Sequence, residues 1–144
     1  MKSFLLGLLL SFTVFSSCFA FSGSDAFIVE EIIALKTAER ILDTEAPYSA
    51  VTEDFLPLTL EDFPETRLED LRTMIRKEFG TVTDVKFLNY TKRMNRYCDY
   101  TDVNDIILMG KGSTGKNISF VFTFKQDGNV HNIMLLNVTA ATLE

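Results

Sequence analysis

The spacing of apolar residues changes at Gly80, and this change limits the folds that the chain can adopt. Before Gly80, apolar residues recur every three or four positions, which is the spacing of one helix face. After it, apolar and polar residues alternate, which is typical of strands with one buried face. The pattern therefore predicts an α+β fold, in which helices come first and pack on one face of an antiparallel sheet.

Three helices are expected before the change. The first is long, covers residues 25–43 and begins at a cap provided by Ser24 or Asp25. Its expected buried stripe consists of Ile28, Ile32, Leu35 and Leu42, widened by Val29 and Ile33. The opposite side, expected to face solvent, carries Glu30, Glu31, Lys36, Glu39 and Arg40.

The second expected helix is shorter and starts at Pro47, because the first turn of a helix tolerates a residue without a backbone N–H. Its apolar face consists of Tyr48, Val51 and Phe55. Residues 58–64 are expected to be irregular. The third helix opens with a capping box formed by Thr66 and Glu69, and Gly80 ends it.

Four alternating runs follow and predict a four-stranded antiparallel meander. They cover residues 82–93, 100–109, 118–125 and 130–139. The last two runs flank Asp127 and Gly128, a dipeptide that favours a two-residue hairpin turn. The sequence thus predicts sequential strands that pair with their neighbours.

This turn sets the expected register of the last hairpin. Phe124 lies opposite His131, and Asn137 lies opposite Ile118 with its side chain pointing inward. The core-facing side of the hairpin then carries Phe120, Phe122, Phe124, Ile133 and Leu135. The outer side carries Val121, Met134, Leu136 and Val138. Such an apolar outer face would suit dimerisation.

Residues 1–20 have the layout of a secretory signal peptide. Lys2 provides a positive start, residues 4–15 form an apolar run, and small residues follow up to Ala20. The run is shorter than the ~20 apolar residues that a membrane-spanning helix needs. We therefore expect the chain to leave the cytoplasm.

Cleavage after Ala20 would leave a short tether at residues 21–24 and one extracytoplasmic domain, periplasmic or secreted, at residues 25–144. Cys18 supports an alternative, because residues 15–18 loosely resemble a bacterial lipobox, in which the cysteine is acylated and anchors the protein to the envelope. After cleavage, Cys98 is the single cysteine, so no intrachain disulfide is expected.

The charge of the chain argues against a nucleic-acid partner. Once Lys2 is removed, 13 basic and 20 acidic residues leave a net charge of −7. An acidic protein is repelled by phosphate backbones and by anionic lipids. We therefore expect no nucleic-acid partner, and a membrane association only if Cys18 is acylated.

Two segments invite a ligand-binding interpretation. Residues 110–116 nearly spell a phosphate-binding P-loop, but Asn117 stands where a Ser or Thr would hold magnesium, and a strand-like run follows instead of a helix. We therefore expect a hairpin loop there. A calcium loop is suggested by Asp99, Asp102, Asn104 and Asp105. Their spacing does not match the alternating ligands of such a loop, so we expect a solvated turn.

His131 is the only histidine, and no motif combines it with other metal ligands. We expect a structural or surface role for it, and predict no catalytic, cofactor-binding or metal-binding residue. Three Asn-X-Ser/Thr sequons begin at Asn89, Asn117 and Asn137. They would carry glycans only in a eukaryotic secretory pathway, and we interpret them as chance occurrences in a bacterial protein.

The order of elements resembles the nuclear transport factor 2-like superfamily, also called cystatin-like. The resemblance rests on the long helix at 25–43, the shorter helix near Tyr48, the third helix ending at Gly80, and the meander. It implies a curved sheet that wraps the first helix as a cone, and is greatest to small secreted bacterial members of unknown function. The superfamily includes isomerases, dehydratases, transport factors and binding modules, so the fold alone sets no function.

We expect a non-enzymatic binding or assembly module of the envelope that uses no cofactor. It would hold a small apolar ligand, or pair with a protein partner or a second copy. The lining would come from Phe120, Phe122, Phe124, Leu58 and Phe63, with Tyr48 and Tyr90 as polar groups. The alternative is a small acid–base enzyme, which needs a buried acidic side chain inside the cone. A secreted inhibitor or effector of a host protein is a third possibility.

The maturation of the chain can be tested by the intact mass of untagged protein from its native host. We expect a mass that begins at Phe21, because residues 18–20 form an acceptable cleavage site. A mass that begins at an acylated Cys18 would instead identify a lipid-anchored protein. A mass that begins at Met1 would contradict both interpretations.

Overall fold

The computed structural model describes residues 23–95, 101–127 and 129–141. Within these ranges it is an α+β structure with four helices and four strands. The helices are α1 (Gly23–Leu42), α2 (Tyr48–Val51), α3 (Pro57–Asp62) and α4 (Glu65–Phe79). The strands are β1 (Val82–Asn95), β2 (Thr101–Gly112), β3 (Asn117–Asp127) and β4 (Val130–Ala141).

The strands form one antiparallel sheet in the order β1-β2-β3-β4, which confirms the α+β class and the meander. None of the described helices is both long and apolar enough to cross a membrane. The expected signal peptide with Cys18, and the later Cys98, lie outside the described residues.

The helical region contains one element more than expected. The segment at 58–64 was expected to be irregular, but α3 forms across most of it, with Pro57 in its first turn, where a missing N–H costs nothing. The expected capping box is also wrong. Helix α4 begins at Glu65, one residue before Thr66, and no side chain caps its first turn. Gly80 ends α4 as expected and has a positive φ of 69°.

The expected buried stripe of α1 is confirmed only in part. Ile33, Leu35 and Leu42 are partly buried and pack against the core. Ile28 and Ile32 are 51% and 59% exposed, respectively. The buried residues of α1 are Glu30, Ala34, Thr37, Ala38 and Ile41, which also recur at helical spacing. Three of the five have small side chains. They let the helix lie close to the inner face of β3, which is already filled by large aromatic rings.

The core lies between α1, α4 and the inner face of the sheet. Its fully buried phenylalanines among the described residues are Phe79 on α4 and Phe120, Phe122 and Phe124 on β3, and the alternating pattern predicts the three on β3. Ile133 on β4 and Ile118 on β3 are also fully buried. The prediction of which side chains of the last hairpin face inward is therefore confirmed along β3 and at the start of β4.

The register of the last hairpin differs from the expected one. Gln126 pairs with His131 and Asp127 pairs with Val130, so Asp127 belongs to the strand ladder and not to the turn. A second irregularity follows, because Phe124 pairs with Ile133 but its neighbour Thr123 pairs with Leu135. One residue of β4 is therefore inserted as a bulge. An insertion of one residue reverses the faces of everything beyond it.

The bulge corrects the expected faces of β4. Leu136 and Val138 were expected on the outer face but pack against the core, whereas Leu135 is 53% exposed. Asn137 was expected to point inward but lies opposite Val121 and is exposed. The outer apolar face on which dimerisation was expected therefore loses two of its four residues.

Contacts from the helical region explain where the bulge forms. The backbone of Ile133 forms two hydrogen bonds with the segment after α2. Its N–H donates to the Asp54 carbonyl, and its carbonyl accepts from the Leu56 N–H. The hydroxyl of Thr59 in α3 donates to the Met134 carbonyl at 2.9 Å. These contacts use the open edge of β4, which would otherwise be free to pair with another strand.

A buried arginine holds the C-terminal end of α1 in place. The guanidinium of Arg72, on α4, is buried and donates to four backbone carbonyl oxygens at 2.7–3.1 Å. They belong to Arg40, Ile41, Asp43 and Ala46. The last carbonyls of a helix have no partner within it and carry partial negative charge, so a cation suits this position. Arg72 also pairs with Glu69.

The Arg72 cluster yields a stability prediction. Arg72→Met keeps the apolar volume but removes the guanidinium donors from the four carbonyls, so we expect the free energy of unfolding to fall by about 3 kcal/mol. Arg67→Met, at an exposed position of the same helix, should change it by less than about 0.5 kcal/mol. Denaturant unfolding measures both. Equal effects of the two substitutions would contradict the role given to Arg72.

Candidate functional site

The described residues with the most unusual chemistry surround the carboxylate of Glu30. This side chain is fully buried, although the sequence pattern placed it on the solvent side of α1. Its Oε1 lies 2.9 Å from Nδ1 of His131 and 2.9 Å from Nδ2 of Asn104. A carboxyl group without access to water is rare unless it has partners, so this cluster requires an explanation.

Three elements bring the cluster together. Glu30 belongs to the buried stripe of α1, one turn before Ala34. Asn104 lies on the inner face of β2, two residues before the buried Ile106, and pairs with Phe124 on β3. His131 lies on the inner face near the start of β4. The cluster therefore sits at the end of the sheet where β3 turns into β4.

The hydrogen-bond inventory leaves two atoms unpaired. The Asn104 amide nitrogen only donates, and a carboxylate only accepts, so the first bond runs from Asn104 to Glu30. With its proton on Nδ1, the imidazole of His131 also donates to Glu30. Glu30 Oε2 and Asn104 Oδ1 are buried and have no hydrogen-bond partner among the described residues. Each such atom costs about 1–3 kcal/mol.

An aromatic group borders the cluster on the side of β1. Phe27 lies one turn before Glu30 on α1, and its ring meets the ring of Tyr90 edge-on at 5.2 Å and that of Phe87 at 5.1 Å. Burial raises the pKa of the Tyr90 phenol, the negative charge of Glu30 raises it further, and Lys92 lowers it. Tyr90 therefore remains a neutral hydroxyl close to a carboxylate.

This arrangement supports two kinds of chemistry. An oriented carboxylate with one free oxygen can accept a hydrogen bond from a ligand, or take a proton from a substrate. His131 holds the carboxylate through Nδ1, which leaves Nε2 as the nitrogen for proton exchange. Among the described residues, no group of three His, Cys, Asp or Glu side chains could hold a metal ion.

The residues expected to line a ligand site are not brought together around one space. Phe120, Phe122 and Phe124 are core residues with no exposure, whereas Leu58 is 72% exposed on α3. Phe63 is partly buried against Phe55, with 5.3 Å between ring centroids. The Tyr48 hydroxyl donates to the Phe63 carbonyl at 2.7 Å, so it is already engaged. Of the two expected polar groups, only Tyr90 lies near the Glu30 cluster.

The calcium interpretation is also resolved in part. Asn104 points inward to Glu30, whereas the neighbouring Asp105 accepts hydrogen bonds from Arg93 at 2.6 Å and from the Thr123 hydroxyl at 2.6 Å. These two ligand candidates therefore use different partners. Asp99 lies outside the described residues, as does the side chain of Asp102.

The glycine-rich segment is a hairpin loop, as expected. Strand β2 ends at Gly112 and β3 begins at Asn117, with the Gly112 N–H donating to the Lys116 carbonyl. Gly115 has a φ of 86°, which side chains rarely allow. Because two antiparallel strands flank the loop, no helix N-terminus is present to bind a phosphate.

A cavity of about 440 Å³ lies away from this cluster, at the other end of α1. Its lining includes Ile41, Ile75, Val82, Arg72 and Ser113. Ile41 lies eleven residues after Glu30, which is roughly 16 Å along a helix. Arg72 already donates to backbone carbonyls. We therefore place the candidate site at Glu30, where buried acceptors lack partners among the described residues, and not at this cavity.

Sequence reasoning identified His131 but missed its partners. It expected no partner residue for His131, and it assigned Glu30 to the exposed side of α1. One signal was present in the sequence: Phe27, Glu30, Ala34, Ala38 and Ile41 also form a stripe at helical spacing, and its small members suit a closely packed helix.

Comparison with known proteins gives no further guide to the site. No family model, no curated protein and no solved structure matches this chain.

The raised pKa of Tyr90 gives a direct test of its surroundings. We expect its phenol to ionise above the ordinary pKa of 10.0, measured as tyrosinate absorbance of the wild type minus Tyr90→Phe. Glu30→Gln should lower this pKa without restoring the ordinary value, because burial is the larger cause. The neighbouring Glu31→Gln should leave it unchanged. An ordinary pKa in the wild type would contradict the described geometry.

The same shift has a consequence for stability. The folded protein holds the phenol proton more tightly than the unfolded chain does, because the pKa is raised on folding. The associated stability is therefore complete below about pH 10 and is lost as the pH rises through the raised value. Tyr90→Phe should remove this part of the alkaline loss.

Proposed function

We propose that this protein is an extracytoplasmic binding module that holds a small ligand between α1 and the inner face of the sheet. The observation that carries the proposal is that two buried acceptors of one cluster, Glu30 Oε2 and Asn104 Oδ1, have no hydrogen-bond partner among the described residues. Unsatisfied buried acceptors reduce stability, so their presence calls for a partner that arrives from outside the chain. A ligand with hydrogen-bond donors would supply it.

The resemblance to the nuclear transport factor 2-like superfamily supports the same position for the ligand. In that interpretation, the sheet is curved around α1 as a cone, and α2 and α3 close one end. The bonds from Thr59 and from the 54–56 segment to β4 are in keeping with such a closure. Glu30, Asn104 and His131 would then face the interior of the cone.

The surroundings of Glu30 favour a ligand that is apolar over most of its surface. Phe27 and Tyr90 border the cluster. Ile106 and Ile133 are buried on the inner face of the sheet, two residues after Asn104 and His131, respectively. A ligand that matches these residues carries one polar group for Glu30 and an apolar body for the rest. The expected ligand was small and apolar with Tyr48 and Tyr90 as polar groups, and the proposal moves the main polar contact to Glu30.

A small acid–base enzyme is the second candidate, and the buried carboxylate is the specific observation that favours it. Glu30 is fixed by two donors and keeps one oxygen free, which is the arrangement that a general base requires. The resemblance implies isomerase or dehydratase chemistry, in which a base removes a proton next to a carbonyl. Binding needs less than catalysis from these residues, so it remains the first proposal.

The binding function is tested by mass spectrometry of the intact protein, isolated untagged from its native host. We expect a small molecule to accompany the wild type and the Glu31→Gln control. Glu30→Gln should lose it, because the substitution replaces one of the two carboxylate oxygens with an amide that donates. Isolation of all three proteins without a bound molecule would contradict the proposal.

The enzyme alternative is tested by incubating the protein with small-molecule extract of the host in D₂O. A general base that removes a C–H proton exchanges it for deuterium, so an enzyme would raise the mass of one component by about one unit per exchanged proton. Glu30→Gln should abolish the exchange. Binding without any deuterium gain identifies a binding module.

A further inference from the structure

The two unpaired acceptors of the Glu30 cluster indicate which chemical class of ligand the site can bind. Glu30 Oε2 and Asn104 Oδ1 belong to side chains that are joined by the bond from Asn104 Nδ2 to Glu30 Oε1, so the two acceptors are part of one cluster. Both are acceptors. A group that satisfies them must therefore donate at least two hydrogen bonds.

The charge of the cluster adds a second constraint. The Asn104 amide donates to Glu30 Oε1 without carrying charge, and His131 Nδ1 lies 2.9 Å from the same oxygen, so both contacts are made to Oε1 and not to Oε2. On β1, burial and the negative charge of Glu30 raise the pKa of the Tyr90 phenol, which therefore stays protonated and neutral. A buried carboxylate oxygen without a partner is stabilised most by a cation that also donates a hydrogen bond to it.

Aromatic rings provide a third constraint. Phe27 and Tyr90 meet edge-on at 5.2 Å beside Glu30. Aromatic rings attract cations that lie over their faces, and they contact the apolar carbon atoms attached to a cationic nitrogen. The ligand group that fits all three constraints is a cation with several N–H donors on a short apolar chain.

We propose that Glu30 and Asn104 bind the primary ammonium group of a small amine. An ammonium carries three donors in a compact tetrahedron, so it can reach acceptors on two different side chains. The planar guanidinium is larger and presents five donors, more than the two acceptors can take. This inference rests on the proposed binding function and specifies the ligand of that same site.

Ethylammonium is the probe for this proposal. Added to the ¹⁵N-labelled wild-type protein at neutral pH, it should shift the side-chain amide signals of Asn104 in a saturable way. Tetramethylammonium has the same charge but no N–H, and ethanol has a donor but no charge, so both should leave these signals in place at matched ionic strength. This comparison requires no variant.

Two variants then locate the binding. Glu30→Gln should weaken ethylammonium binding at least about tenfold, because it removes a charge-assisted hydrogen bond. Glu31→Gln removes the same charge one residue away, from a side chain that is not fully buried, and should leave the affinity within about twofold. Circular dichroism verifies that both variants are folded.

Several results would overturn the proposal. These are an equal response to tetramethylammonium, an unchanged affinity in folded Glu30→Gln, and no saturable response to ethylammonium, in which case a buried water is the partner of the two acceptors. Failure here is distinct from failure of the binding function. A native ligand that depends on Glu30 but carries no ammonium group would keep the binding module and reject the amine.

Discussion

The inner face of β3 sets the main requirement of this structure. Phe120, Phe122 and Phe124 point to one side of a single sheet, and all three are fully buried. Burying a phenylalanine side chain contributes about 1.5–3 kcal/mol, so covering this face is the largest local gain in the fold. Helix α1 covers it, and its small residues Ala34 and Ala38 allow the close approach.

The polar groups at the two ends of α1 differ in whether their hydrogen bonds are satisfied. At its C-terminal end, Arg72 satisfies four backbone carbonyls, and its charge complements the helix dipole. Towards its N-terminal end, Glu30 brings a carboxylate into the core and leaves two acceptors unpaired. Satisfied polar groups hold the helix in place, whereas unsatisfied ones reduce stability. This contrast is why the function is proposed at Glu30 and not at the cavity beside Arg72.

The proposed site also explains why its residues come from separate elements. Glu30, Asn104 and His131 lie on α1, β2 and β4, and they meet only after the meander has formed and α1 has docked on it. A ligand that bridges Glu30 and Asn104 would connect the helix to the sheet. Ligand binding is therefore expected to stabilise the folded protein as a whole.

Local patterns in the sequence determine the elements of this protein. The change of period at Gly80, the alternation in four runs and the turn residues act between close neighbours in the chain, so they predict the helices, the meander and the glycine-rich hairpin loop. The short α3 was missed because its apolar residues are too few to show a helical period. Its existence depends on the bonds that it makes to β4.

Only the tertiary structure decides which faces are buried. Helix α1 carries two stripes at helical spacing, one with Ile28 and Ile32 and one with Glu30 and Ala34, and hydrophobicity alone favours the first. The second is chosen because the phenylalanine face leaves room for small side chains. The inserted residue in β4 is likewise set by contacts from a segment about 75 residues earlier, such as Thr59 to Met134. The Glu30 site follows from the choice of helix face, which depends on packing between distant elements, so local sequence patterns predicted most of the elements but not the site.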